Sequence, residues 1–119
     1  MRRDLARLCR AYSGRRIDLL EAGCPSGALA QSSEAMQADF VSELFAAWDA
    51  HSDQIELVTL DWQTDLSSTA VDWFKNDYGI ADPVFLDFLG SLGMRTWPGH
   101  GRSKRAFARL VAESQSRSR

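Results

Sequence analysis

Two short apolar runs, each stopping at an acidic residue, constrain this chain more than any other feature. The first is Ile17, Leu19 and Leu20, halting at Glu21; the second is Ile55, Leu57, Val58 and Leu60, leading into Asp61-Trp62. Their length and their Gly, Pro and polar flanks predict buried strands rather than helices. Between them lies the strongest helical pattern in the chain. Ser32 or Ser33 supplies a cap, Glu34 places a negative charge in the first turn, and Met36, Phe40, Val41, Leu44, Phe45 and Trp48 recur on one face. Strand, helix and strand of these lengths predict two parallel strands joined by a right-handed crossover. A two-stranded parallel sheet leaves backbone groups unpaired at both edges and needs cover on its faces. The sequence therefore predicts either additional strands in a larger sheet or a homo-oligomer in which a second copy covers the edges.

The remaining pattern is helical. Leu5, Leu8, Cys9 and Tyr12 mark one face of a helix over residues 3–12, ended by Ser13-Gly14. Residues 23–31, rich in Gly, Pro, Ser and Ala, read as a loop. Ser67 or Ser68 starts a short helix carrying Val71 and Phe74 and closed by Tyr78-Gly79. Asp82-Pro83 starts another, with Phe85, Phe88, Leu89 and Leu92 on its apolar face and Gly93 as its stop. A last helix over about residues 103–113 is expected to bury Ala106, Phe107, Leu110 and Val111. Residues 1–113 then form one unit, and 114–119 are expected to be a disordered polar tail.

Charge and composition exclude several function classes. The chain has 119 residues, 45% of them hydrophobic, with 14 basic and 16 acidic side chains and a pI near 5.6. That balance gives no general reason to bind nucleic acid, which requires a basic surface that releases counterions. The arginines at the two termini read as solvated charge or as a small contact for nucleic acid or an acidic surface. Cys9 and Cys24 match no metal spacing and read as free thiols. His51 and His100 have no ligand partner at useful spacing, and Gly99-His100-Gly101 follows no strand, so neither a metal nor a phosphate site is expected. No apolar stretch approaches the length of a membrane helix. Arg2, Arg3, Asp4, Arg7 and Arg10 interrupt any signal-peptide core, and the sequence leaves cellular location open.

The run Leu19-Leu20-Glu21-Ala22-Gly23-Cys24-Pro25-Ser26 resembles the seventh strand of (β/α)8 TIM-barrel glycoside hydrolases of the retaining superfamily, whose nucleophile sits at that strand end. Ser32-Ser33-Glu34 with Gln37 and Phe40, then Ala47-Trp48-Asp49-Ala50-His51, resemble the following helix in a bacterial group of such proteins. Asp82-Pro83-Val84-Phe85, Leu92-Gly93-Met94-Arg95-Thr96 and Lys104-Arg105-Ala106-Phe107 are similar to its C-terminal end. The resemblance spans residues 16–110. It implies an α/β fold: a partial (β/α)8 barrel holding the last two β/α units with extra C-terminal helices. It also implies Glu21 as the catalytic nucleophile, a β-linked polysaccharide or oligosaccharide as substrate, no cofactor, and an acid/base carboxylate at the end of the fourth strand, outside this chain. Relatives of that kind are exported. Cys24 departs from the pattern, which has an aromatic residue between that Gly and Pro.

Each candidate residue also has a plainer role. Glu21 reads as a catalytic carboxylate or as a solvated or salt-bridged strand end. Trp62 suits either stacking on a sugar ring or core packing. Asp61 and Asp65 suit sugar hydroxyls or the capping of the next helix. Trp97 reads as a rim aromatic or as packing beneath the last helix, and Trp48 and Trp73 as core. With half of a two-carboxylate site absent, a carbohydrate-binding or structural remnant without cleavage is the alternative to an enzyme.

Overall fold

A computed structural model of the chain describes residues 2–98 and 101–117. Gly99 and His100, and the last two residues of the expected tail, lie outside them. The order is α1 (Arg2–Ala11), β1 (Ile17–Ala22), α2 (Glu34–Asp49), β2 (Ile55–Leu60), α3 (Ser68–Tyr78), α4 (Pro83–Gly90) and α5 (Arg105–Arg117). The fold is mixed α/β, with five helices and one two-stranded sheet among the described residues. The strands are parallel, as the two apolar runs predict, and pair Ile17 with Ile55, Leu19 with Val58 and Ala22 with Leu60.

The helix starts follow from local chemistry. Ser33 accepts a hydrogen bond from the Met36 backbone N–H, Ser67 from Ala70 and Asp82 from Val84, each satisfying a donor that the first turn leaves free. Pro83 occupies the first turn of α4, where no N–H is needed. Gly79 ends α3 in the left-handed conformation at φ 65°, and its N–H returns to the Lys75 carbonyl. Two ends differ from expectation. α4 stops at Gly90, before Gly93, because the Ser91 hydroxyl and N–H both turn back to carbonyls of its last turn. α5 continues to Arg117, so residues 114–117 are helical rather than a loose tail. Arg117 reaches Asp49 at 2.5 Å and Glu113 at 2.7 Å, which ties the final turn to α2.

α1, α2 and α5 lie on one side of the sheet. α2 is the central helix: Leu44 and Ala47 meet Leu5, while Val41 and Phe45 meet Met94 and Ala106. Leu44 is 1% exposed, and a Leu in that position stabilises by about 1.5–3 kcal/mol. Met36, expected on this face, is exposed, and the buried face runs instead through Gln37, Ala38, Val41, Leu44, Phe45 and Ala47. Val111 and Tyr12 are likewise exposed rather than buried. Trp48 anchors the start of β2, its indole N–H donating to the Ile55 carbonyl at 2.9 Å.

The strands are not buried on both faces. Leu19, Val58 and Leu60 pack into the helix layer, whereas Leu20 is 63% and Leu57 44% exposed. Alternation along a strand turns these two leucines to the side that no helix covers. Both outer edges of the sheet are also unpaired among the described residues.

Candidate functional site

The C-terminal ends of β1 and β2 are drawn together by backbone. The Asp61 N–H donates to the Ala22 carbonyl at 3.0 Å. Gly23 sits so close that an added Cβ would lie 3.0 Å from Leu92 Cδ2 and 3.1 Å from the Asp61 carbonyl oxygen. Trp62 and Gln63 then accept hydrogen bonds from the N–H groups of Met94 and Arg95, and the Asp65 N–H donates to the Arg95 carbonyl. Gly93 permits that pairing, because a Cβ there would lie 2.0 Å from the Asp65 nitrogen. The strand exits are thus braced against the segment between α4 and α5.

Glu21, Asp61 and Trp62 line one cleft of about 340 Å³ at this end of the sheet. Phe74 and Tyr78 of α3 and Phe88 of α4 complete its wall, with Gly23, Leu89 and Leu92 behind them. The Trp62 ring stacks on Phe74 with centroids 6.0 Å apart, so the indole both packs and lines the cleft. Glu21 is exposed and Asp61 half-buried, and neither carboxylate has a hydrogen-bond or ion-pair partner among the described residues. They are the two acidic groups of the lining.

Asp65 is placed elsewhere. Its carboxylate lies 2.6 Å from the Lys104 ammonium, whose side chain is only 2% exposed. An ammonium that deep requires an anion and further acceptors. Lys104 has them: besides Asp65, it donates to the Ser26 hydroxyl at 2.9 Å and the Ser91 carbonyl at 3.2 Å. Burial pushes the Asp65 carboxyl above its usual range, and Lys104 offsets only part of that rise. Asp65 therefore neither lines the cleft nor caps α3, a role that Ser67 fills.

Gln37 braces the same region. Buried on the core face of α2, its side-chain amide nitrogen meets the carbonyls of Cys24 at 2.9 Å and of Leu92 and Gly93 at 3.1 Å each. Sequence reasoning assigned no role to Lys104, and quoted Gln37 only within a motif. A polar residue four positions before Val41 on the buried face of α2 is the one local signal that Gln37 has an internal partner. Lys104 gives no such signal, since its acceptors come from residues 39 and 78 positions away.

The remaining expected residues lie apart from the cleft. Trp97 is exposed, and so is Trp73, which was expected in the core and instead lies edge-on to Phe74; Trp48 packs partly buried against the core. Cys9 and Cys24 are free thiols, and burial raises the Cys24 thiol above its ordinary value. No group of three metal-ligating side chains occurs among the described residues, and no helix is long and apolar enough to cross a membrane. Comparison with protein-family models, with curated proteins and with solved structures finds no match to this chain.

Proposed function

We propose that the cleft is a carbohydrate site, and that the chain is the nucleophile-bearing part of a (β/α)8-barrel glycoside hydrolase acting on β-linked polysaccharide or oligosaccharide. One observation carries this reading: Glu21, Asp61 and Trp62, three of the residues expected from sequence to meet substrate, line a single cleft where two parallel strands end. Catalytic groups of such barrels come from the C-terminal ends of strands. The open face of the sheet, with Leu20 and Leu57 exposed, fits strands that continue into a closed barrel.

In this reading Glu21 attacks the anomeric carbon, forming a glycosyl ester as the leaving oxygen takes a proton from a second carboxyl group. Water then cleaves the ester with that second group acting as base. Attack requires a Glu21 carboxylate that no cation of the chain itself holds, and Glu21 has no such partner among the described residues. Trp62, Phe74, Tyr78 and Phe88 offer apolar surface to the C–H faces of the ring.

A binder that does not cleave is favoured by one feature, namely that Asp61 is the sole other acid of the lining. Hydrolysis of aryl β-glycosides by the protein and by Glu21→Gln separates the two. Activity lost in Glu21→Gln supports the hydrolase, and equal hydrolysis by both removes the nucleophile. Saccharide binding without turnover, abolished by Trp62→Ala, supports the binder.

A further inference from the structure

We propose that the cleft selects sugars carrying a free amine, such as a β-linked glucosamine oligosaccharide, over neutral or N-acetylated ones. The inference rests on the carbohydrate reading above and names the substrate class for that site. Its basis is the chemistry of the lining: two carboxylates, Glu21 and Asp61, beside the aromatic rings of Trp62, Phe74, Tyr78 and Phe88, with no basic residue among them. Neither carboxylate is paired among the described residues. Elsewhere in the molecule acids at tertiary contacts are matched: Glu34 by Arg102, Asp49 and Glu113 by Arg117, Asp65 by Lys104.

The sequence that supplies the cleft is acidic as well. From Ile17 to Met94, Lys75 is the only lysine or arginine against fourteen Asp and Glu, and Lys75 does not line the cleft. A neutral sugar would leave both acids of the lining without a counter-charge in the bound state. An ammonium supplies the missing charge, and aromatic faces attract it through their quadrupole. A cavity of about 340 Å³ also admits a whole sugar ring, so cation and C–H face can be met together.

Isothermal titration of the full chain with a tetrasaccharide of β-linked glucosamine, its N-acetylated counterpart and a neutral β-linked glucose tetrasaccharide tests this. The amine form should bind about tenfold tighter than either of the others. That preference should vanish in the Glu21→Gln/Asp61→Asn double variant, and in the unaltered protein it should collapse in about 0.5 M salt. Equal affinity for all three saccharides overturns the amine selection while leaving the carbohydrate site intact. A preference that survives both the double variant and high salt overturns the assignment to these carboxylates. Binding of none of the three overturns the carbohydrate reading as well.

Discussion

Asp65 and Asp61 lie four residues apart at the same end of the sheet and live in opposite circumstances. Asp65 is locked into a buried knot with Lys104, around which Ser26 and the Ser91 carbonyl close. Asp61 faces a cleft beside Glu21 with no partner. The knot joins residues distant in sequence and so holds the loop after β1, the exit of β2 and the start of α5 together. The cleft beside it carries charges that contribute nothing to that bracing. Bracing thus falls to one of these two neighbouring acids and not to the other, and substitutions should tell them apart.

The largest effect is expected at Lys104. Lys104→Met removes the buried cation and leaves the half-buried Asp65 without its counter-ion, which should cost about 3–5 kcal/mol in urea unfolding. A loss under about 1 kcal/mol would mean that the knot is solvated and carries no structural role. Ser91→Ala follows. Its hydroxyl accepts from the Gly27 N–H at 3.0 Å and donates to the Asp87 carbonyl at 2.7 Å, so about 1 kcal/mol should be lost by the same measurement.

Acid titration bears on the outer ion pairs. Glu34, hydrogen-bonded to Arg102, and Asp49 and Glu113, hydrogen-bonded to Arg117, are held below the usual range. Their contribution is present above the unfolded values and is lost as pH falls through the folded ones, so thermal stability should fall below about pH 4.5. A melting temperature that stays level down to about pH 3 would mean that these pairs contribute nothing. The smallest effects belong to the cleft: Glu21→Gln and Asp61→Asn should each change unfolding stability by less than about 0.5 kcal/mol while changing saccharide binding. A larger stability loss would make either residue part of the framework.

The elements that local chemistry dictates were legible in the sequence. Parallel β1 and β2 follow from two short apolar runs around a long amphipathic helix, and Ser33, Ser67 and Asp82 cap their helices with their own side chains. What local pattern could not convey was cover. Leu20 and Leu57 look like core by composition, yet which face of a strand meets a helix is settled by where α1, α2 and α5 pack. Glu21, Asp61 and Trp62 were visible because position at a strand end is a local property. Asp65 looked equivalent to Asp61 because its counter-ion enters from the residue just before α5, outside any window around it. Phe74, Tyr78 and Phe88 were visible only as helix faces or ends, and their convergence on Trp62 depends on how α3 and α4 fold back.

Gly23 gives the pair of cleft acids an unusual kind of control. The distance between Glu21 and Asp61 is governed by how closely two main chains can touch, with Leu92 filling the space behind. One methyl at Gly23 would act as a wedge, spreading the two carboxylates without altering either. A ligand that touches both acids at once would sense that spreading, so a single main-chain position sets how the pair can be met while both side chains stay unchanged.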